Sequence, residues 1–324
     1  MKSENRCFIL DMPGEYGLKR SIKLGLKKIM IAYYGLNYKF NRMNDARKCK
    51  YYVSICCIFK NEAVYLKEWI EFGLTVGIEH FFMYNNNSTD DYQEVLKPYI
   101  DAGIVTLIRW EKNQAQMECY QDAIVRYKDE TKWLGFIDVD EFIVPNTNDS
   151  ISDFLKQFER FPAVIVYWKM FCSSGMLERN VNGLVTEDFV VSWQKYSDIG
   201  KCFYNTAFDF DTDYFRNANL HHKMWGSRNG KHYPPVNVFG KVCIDELNPY
   251  PHRADSNNFP IQINHYFTKS LAEYLQKKSK GDVYFVDNPH DMEYFFYHDM
   301  KCQFTDYHAY KYLIKLKNRL RKNS

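Results

Sequence analysis

The alternation of apolar runs with amphipathic stretches between residues 51 and 142 constrains the fold of this 324-residue chain more than any other feature. Four short runs rich in Val, Ile, Phe and Cys have the character of buried strands, and the three longer stretches between them have apolar residues at helical spacing. The strands are Tyr52–Phe59, His80–Tyr84, Ile104–Ile108 and Trp133–Ile137, and the helices are Glu62–Val76, Asp91–Ala102 and Gln114–Tyr127. The alternation predicts an α/β fold with a mostly parallel sheet and helices on both faces.

The pattern becomes irregular after residue 150. Ala163–Lys169 has strand character, and residues 172–262 are rich in Gly, Asn, Asp and aromatic residues, as expected for loops and antiparallel strands around a site. A helix is predicted over Leu271–Lys280, where Ser270 and Glu273 form a capping box. We therefore expect an irregular α+β region beside the parallel sheet.

Basic charge is concentrated at the two ends of the chain. Residues 1–50 hold 12 Lys and Arg against 4 Asp and Glu, and residues 306–324 hold 6 against 1, although the net charge is only +3. Both ends have amphipathic helical spacing, through Leu18, Ile22, Leu26, Ile29 and Met30 at one end and through Leu313, Leu316 and Leu320 at the other. Such a helix can lie on an anionic membrane surface, or it can pack on the domain with its lysines in water. We expect a basic amphipathic extension over 1–50, a central domain over 51–285 and a helical basic tail over 286–324.

Composition excludes several classes of protein. Apolar residues make up 46% and charged residues 26%, which excludes a disordered chain, and no apolar run is long enough for a membrane-spanning helix. The nine cysteines form no Cys-x-x-Cys pair and no secretory signal is evident, so we expect a cytoplasmic protein, peripheral on the inner face of the plasma membrane if the basic ends bind lipid. The basic residues lie at the ends rather than on the body, which argues against nucleic-acid binding.

The strongest chemical signal follows the fourth predicted strand. The sequence Asp138-Val139-Asp140-Glu141 lies at the carboxyl end of that strand, where parallel sheets bind ligands. Carboxylates this close repel each other unless a cation or a proton relieves them. A divalent ion would do so and would in turn hold a diphosphate, whereas a solvated acidic strand end is the alternative. A phosphohydrolase built on Asp-x-Asp is disfavoured, because Glu141 and Phe142 follow the pair.

Five short motifs occur in one order along the chain: Phe59-Lys60-Asn61-Glu62 with Leu66-Lys67-Glu68-Trp69, then Tyr84 to Asp90, Trp110 with Gln116 and Tyr120, Asp138 to Phe142, and His265 to Ser270. Together they resemble glycosyltransferases of the family 2-like kind, most closely those of family 92, over residues 51 to about 283. The resemblance implies a Rossmann-like GT-A fold, a nucleotide-sugar donor that is by default a UDP-sugar, Mn²⁺ or Mg²⁺ as cofactor, and inverting transfer. A glycan or lipid-linked acceptor in surface polysaccharide synthesis is inferred from the basic ends.

The resemblance also implies roles by position. Asp140 would be the main metal ligand, Asp138 would contact the metal or the ribose, and His265 would supply a further ligand, unless it is a helix-entry residue bonded to backbone. Nucleotide contacts are expected from six residues: Asn61, Glu62, Asn85, Gln116, Asp138 and Lys269. Several local alternatives remain open: Glu62 could favour its helix start, Gln114 could replace Gln116, Lys269 could be solvated, and Ser88 or Asp90 could cap the helix at Asp91–Ala102.

An inverting transfer requires a general base that deprotonates the acceptor hydroxyl. The resemblance favours Glu187, with Asp188 as the alternative, and Glu141 is a further candidate although its side chain should face away from Asp140. Lys201, His221 and His222 lie where the family carries a Lys and a His, and their roles are open. The competing function is a degenerate glycosyltransferase-like scaffold that binds nucleotide or glycan without turnover.

Overall fold

The computed structural model describes eight ranges of the chain: 7–8, 17–40, 45–113, 115–211, 224–244, 248–249, 259–279 and 291–322. Three residues considered from the sequence, Gln114, His221 and His222, lie outside the described residues, as does Lys280. Among the described residues, no helix combines the length and the apolar character needed to cross a membrane.

The order of elements follows the predicted alternation up to residue 136. The helices are α1 (Leu18–Phe40), α2 (Ala63–Thr75), α3 (Tyr92–Asp101), α4 (Gln116–Tyr127), α5 (Ile151–Leu155, extended by a 3-10 turn at Lys156–Phe158), α6 (Val185–Asp188), α7 (Leu271–Ser279), α8 (Met292–Met300) and α9 (Tyr310–Lys322). The strands of the main sheet are β2 (Tyr51–Phe59), β3 (His80–Asn85), β4 (Val105–Arg109), β5 (Thr131–Phe136), β6 (Glu141–Pro145), β7 (Ala163–Met170), β9 (Gly200–Asn205), β13 (Val236–Asn237) and β15 (Ile261–His265). The remaining strands are β1 (Cys7–Phe8), β8 (Val191–Trp193), β10 (Asp209–Phe210), β11 (Gly226–Arg228), β12 (Lys231–Tyr233), β14 (Asn248–Pro249) and β16 (Cys302–Thr305).

The core of the fold is a curled sheet with the strand order β4-β3-β2-β5-β9-β7-β15-β6. Strands β2 to β5 are parallel to one another, and β15 is parallel to β7. Strand β9 is antiparallel to both β5 and β7, and β6 is antiparallel to β15. The order reverses between β2 and β5, with β3 on one side of β2 and β5 on the other, and such a switch point opens a crevice at the carboxyl ends of the strands. The predicted α/β class with a mostly parallel sheet is confirmed.

Strand β6 positions the acidic motif. The chain leaves β5 at Phe136 and turns through Asp138 to Asp140, where the Glu141 N–H donates to the Asp138 carbonyl at 3.0 Å. It then reverses into β6, where Glu141 is opposite His265 of β15. Because Tyr266 N–H also donates to the Asp140 carbonyl at 2.9 Å, the two distant motifs are held together by backbone.

The C-terminal helix α9 packs on α2. Its apolar stripe enters the core, where Leu316 is fully buried and the Tyr312 ring lies 5.9 Å from that of Phe72. Arg319 Nε lies 2.7 Å from Glu71 Oε2 at the same junction. At this end of the chain the packing alternative therefore holds, and the stripe through Leu313, Leu316 and Leu320 is not available to a membrane.

The two cysteines at positions 172 and 302 form a disulfide between the end of β7 and β16. The expectation of a cytoplasmic protein, whose cysteines would be kept reduced, does not predict this bond. Cys56 and Cys57 of β2 are fully buried thiols, as their apolar run indicates.

Candidate active site at the carboxyl edge of the sheet

Three polar clusters meet where β2, β3 and β5 end. Phe59 of β2 is paired with Asn85 of β3, and Cys56 of β2 with Phe136 of β5. Asn61 and Glu62 follow β2, Asn85 ends β3, and the acidic turn follows β5. The topology therefore brings together the residues that the sequence places after these strands.

Asp138 accepts hydrogen bonds at both carboxylate oxygens. Its Oδ1 receives Gln116 Nε2 at 3.0 Å and the Tyr120 hydroxyl at 3.1 Å, both from the first turns of α4. Its Oδ2 receives Lys201 Nζ from β9 at 2.7 Å. Gln116 and Asp138, which the sequence assigns separately to the nucleotide site, are thus in direct contact, and Lys201 has a specific partner.

Lys201 and Glu141 form a buried pair beneath the acidic turn. The two side chains are 1% and 0% exposed, and Lys201 Nζ lies 3.7 Å from Glu141 Oε2. Burial lowers the pKa of Lys201, but the charges of Asp138 and Glu141 outweigh it and hold that pKa above its usual range. Burial raises the pKa of Glu141 despite the opposing charge of Lys201. Since Glu141 Oε2 also accepts the Asp138 N–H at 3.0 Å, this carboxylate supports the turn and is shielded from an acceptor hydroxyl.

Asp140 lies between a lysine and a histidine. Its Oδ2 receives Lys277 Nζ from α7 at 2.6 Å, and its Oδ1 lies 3.7 Å from His265 Nε2. Burial raises the pKa of the Asp140 carboxyl, but the nearby positive charges, that of Lys277 foremost, prevail and hold that pKa well below its usual range. Asp140 is therefore an ionised carboxylate in a largely buried position.

His265 is a buried, neutral imidazole. Burial lowers its pKa to about 3, although the charge of Asp140 opposes the shift. Its Nδ1 is buried and has no hydrogen-bond partner within the described ranges. The alternative role, in which His265 bonds to backbone at the entry to the helix, is therefore not observed at Nδ1. An uncharged imidazole beside an ionised carboxylate is a donor set that suits a divalent cation.

Lys269 is also buried, at 5% exposure, with its Nζ 4.4 Å from the centroid of the Tyr65 ring. It has a positive φ of 49°, which costs free energy for a residue with a Cβ and recurs at functional sites. The solvated alternative for Lys269 is therefore wrong.

The predicted capping box of α7 is confirmed by two hydrogen bonds, from the Ser270 N–H to Glu273 Oε2 at 3.0 Å and from the Glu273 N–H to Ser270 Oγ at 3.3 Å.

The loop side chains after β2 and β3 hold each other in place. The side-chain Oδ1 of Asn61 accepts a hydrogen bond from the Thr89 N–H at 2.7 Å. Asn85 donates from its Nδ2 to the Tyr92 hydroxyl and accepts from the Ser88 N–H at its Oδ1. These contacts leave the nucleotide roles of Asn61, Glu62 and Asn85 as predictions.

The prediction that Ser88 or Asp90 caps α3 is wrong. Asp90 Oδ2 accepts the N–H of Ala63, the first residue of α2, at 2.8 Å, and Ser88 Oγ accepts the Asn61 N–H at 2.9 Å. The N-cap of α3 is Asp91, without a side-chain cap. Both side chains do accept backbone N–H groups, as capping residues do, but those groups belong to Asn61 and Ala63 at the start of α2 and not to α3.

The two candidate bases lie on α6, a single turn of helix. Glu68 of α2 is buried and accepts hydrogen bonds from Val185 N–H at 2.8 Å, Thr186 N–H at 3.0 Å and Thr186 Oγ1 at 2.9 Å. Glu187 Oε1 pairs with Lys317 Nζ of α9 at 2.5 Å. Burial, and then the charge of Glu187, raise the pKa of Asp188.

Sequence reasoning missed the roles of Lys277 and Glu68. One local signal was available for Lys277, since it follows the capping residue Glu273 by four positions and so lies on the same face of α7. Glu68 stands within one of the quoted motifs, but its partners are 117 and 118 positions away.

Several curated proteins match part of this chain. A glycosyltransferase family 92 protein of Oryza sativa subsp. japonica is 29% identical over 119 residues, which are 36% of this chain and 20% of that protein. A galactan beta-1,4-galactosyltransferase of Arabidopsis thaliana is 30% identical over 136 residues, covering 38% of this chain and 27% of that protein. The chain thus spans about a fifth to a quarter of the length of these relatives.

Among solved structures, residues 1–349 of S. aureus TarS align with a TM-score of 0.36 and 15% identity, covering 57% of this chain and 60% of that one. The profile of glycosyltransferase family 92 matches residues 50–212, which include β2 to β5 and the acidic turn. On this match over half of its length, the chain belongs to glycosyltransferase family 92.

Proposed function

We propose that this protein transfers a sugar from a nucleotide-sugar, a UDP-sugar, to a hydroxyl of a glycan or lipid-linked acceptor in surface polysaccharide synthesis. The observation that carries the proposal is the convergence at one sheet edge of an ionised Asp140, a neutral His265, the buried Lys269 and the half-buried Lys277. Buried cations beside carboxylates form a site for an anion that arrives with its own cation, such as a metal-bound diphosphate. Membership of a glycosyltransferase family supports the reaction class.

We propose Mn²⁺ or Mg²⁺ as the cofactor, held by Asp140 and His265, with Asp138 contacting the ion or the ribose. Asp140 Oδ1 and His265 Nε2 are 3.7 Å apart, close enough to share one ion, and both are in the protonation state that ligation needs. Asp138 is less available, because three protein donors already occupy its oxygens. When bound, the ion supplies Lewis-acid neutralisation of the leaving nucleoside diphosphate.

The chain's own residues bind and orient the donor. Lys269 and Lys277 would contact diphosphate oxygens, for which Lys277 would exchange its present partner, Asp140. Gln116 would act through Asp138, which it already contacts. Asn61, Glu62 and Asn85 would line the nucleotide pocket from the loops after β2 and β3.

We propose that inverting attack uses a base on α6, either Glu187 or Asp188. The raised pKa of Asp188 makes its ionised form the stronger proton acceptor. Glu187 is favoured by the family pattern but is paired with Lys317. Glu187→Gln and Asp188→Asn separate the two, because loss of the true base lowers kcat and leaves UDP binding intact.

Calorimetry of UDP binding, with and without Mn²⁺, tests the donor site. The variants are Asp140→Asn and, as a matched control, Asp101→Asn, since Asp101 is an exposed carboxylate paired with Lys97 on α3. We expect Mn²⁺-dependent binding in wild type and in Asp101→Asn, and none in Asp140→Asn. Binding that ignores Mn²⁺ or survives in Asp140→Asn would contradict the site.

A panel of UDP-sugars with a hydroxyl acceptor then tests turnover. Nucleotide binding without hydrolysis or transfer for any sugar would favour the scaffold function over the enzyme. We place the reaction at the inner face of the plasma membrane, where a lipid-linked acceptor would be met.

A further inference from the structure

Helix α1 is fixed on the body by one of its faces. The Tyr38 hydroxyl donates to the Pro234 carbonyl at 2.6 Å, and its ring lies 4.6 Å from that of Phe161. Tyr34 contacts Trp225 with 5.3 Å between ring centroids. Lys27, which lies about two turns before Tyr34 on the same face, is only 8% exposed. The orientation of α1 is therefore set by polar and aromatic contacts.

The opposite face of α1 is apolar and exposed. Six large side chains on it are 55 to 84% exposed: Ile22, Leu26, Ile29, Tyr33, Leu36 and Phe40. Their spacing alternates between four and three residues, which confines them to an arc of about 80° at 3.6 residues per turn. The residues that contact the body lie about 120–160° from the centre of this arc. A continuous exposed apolar stripe of this length is uncommon on a soluble surface and marks an interaction site.

The charges of α1 indicate what covers the stripe. Six of its residues are Lys or Arg and none is Asp or Glu, and Lys23, Lys28 and Lys39 are exposed on its flanks. A second copy packed stripe to stripe would bring these like charges together. An anionic lipid surface would take the apolar side chains between its headgroups and attract the lysines.

We propose that the stripe of α1, defined by Ile22, Leu26, Ile29, Tyr33, Leu36 and Phe40, docks this protein on an anionic lipid bilayer. The inference rests on the proposed function only in one respect: a lipid-linked acceptor would lie at such a bilayer surface. The docking itself stands on the exposure and charge of α1. The C-terminal stripe takes no part, because Leu313 and Leu316 are buried against the body.

Vesicle co-sedimentation of the full chain tests the docking. The vesicles are phosphatidylcholine alone and an equal mixture of phosphatidylcholine and phosphatidylglycerol. The stripe variant is Leu26→Ser with Ile29→Ser, and the matched control is Val125→Ser with Ile314→Ser, two apolar side chains that are 61% and 77% exposed elsewhere on the surface.

We expect wild type and control to bind the anionic vesicles, to release them in high salt, and to bind neutral vesicles at least tenfold more weakly. The stripe variant should lose at least tenfold in affinity for anionic vesicles. Undiminished binding of the stripe variant, or no binding by wild type, would overturn the proposal. A concentration-dependent wild-type dimer that the stripe variant abolishes would assign the stripe to a second copy instead.

UDP calorimetry on the same preparations separates the two proposals. The stripe variant should bind UDP as wild type does, because Leu26 and Ile29 are exposed on α1 and are not among the residues assigned to the donor site. Loss of vesicle binding with retained UDP binding supports docking independently of the chemistry.

Discussion

Replacement of Lys201 by methionine tests whether a buried cation holds the acidic turn together. Lys201 Nζ lies 2.7 Å from Asp138 Oδ2 and 3.7 Å from Glu141 Oε2. At an effective dielectric constant of about 20, Coulomb's law gives gross attractions of about 6 and 4.5 kcal/mol at these separations. Part of this is cancelled, because the variant no longer desolvates an ammonium group. Measured losses for breaking a buried pair suggest a net loss of about 3–5 kcal/mol in the free energy of unfolding.

The loss should depend on pH in a definite direction. Burial raises the pKa of Glu141 and Lys201 opposes that shift, so Lys201→Met should raise this pKa further above the ordinary value of 4.5. A carboxyl with a higher pKa in the folded state loses stability as pH rises, because the unfolded chain releases its proton first. The deficit of Lys201→Met should therefore be smaller at about pH 5 than at about pH 8.

Urea unfolding followed by tryptophan fluorescence measures both effects, from the midpoint at constant slope. Lys97→Met, which removes an exposed lysine from a surface pair with Asp101, is the control and should cost less than about 1 kcal/mol. Adding Glu141→Gln to Lys201→Met should recover about 1–3 kcal/mol, because one orphaned charge is removed. A loss below about 1 kcal/mol, or a deficit that shrinks as pH rises, would refute the reasoning.

Three shorter predictions concern other contacts. Glu68→Gln, which disrupts the three hydrogen bonds that hold α6, should cost about 1–3 kcal/mol in urea unfolding and lower the rate of transfer while UDP affinity is unchanged in calorimetry. Leu316→Ala should cost about 2–5 kcal/mol in the same unfolding assay, whereas Ile314→Ala, at a 77% exposed position of the same helix, should cost less than about 1 kcal/mol; equal costs would contradict the packing of α9. Alkylation of the denatured chain should add two more groups, by mass, when the chain is reduced first than when it is not, because reduction frees Cys172 and Cys302; equal masses would mean that both are already thiols.

The sequence predicted the parallel half of the fold to within a few residues, because each strand there is a short apolar run, and β2, β3 and β5 are buried on both faces. Strand β6 was not predicted as a strand of its own. It begins at Glu141, a charged residue that is fully buried only because Lys201 of β9 lies beside it. A pairing between residues 60 positions apart leaves no trace in local periodicity, so the acidic motif was interpreted as the end of a strand.

The same distinction applies to the candidate site, between residues that lie at strand ends and partners that are brought in by packing. Residues at strand ends, such as Asp138 and Asn85, were predicted from a topological rule that needs no side-chain contacts. Partners such as Lys277, which is 137 positions from Asp140, depend on how α7 packs and could not be found this way. The metal, nucleotide and base assignments depend on a ligand and stay predictions.

The charges of the site have a consequence for how donor and metal bind. Asp138, Asp140 and Glu141 lie among Lys201, Lys269 and Lys277, so three carboxyl groups are matched by three lysines in this site. A divalent cation alone, held by Asp140 Oδ1 and His265 Nε2, would add positive charge beside Lys277 in a partly buried site. A diphosphate alone meets three carboxyl groups. Bound together, the two ligands compensate each other and give Lys277 a new partner, so each should tighten binding of the other by the same factor. In calorimetry we expect that factor to exceed about tenfold, and an affinity for UDP that is equal with and without Mn²⁺ would show that the lysines alone neutralise the diphosphate.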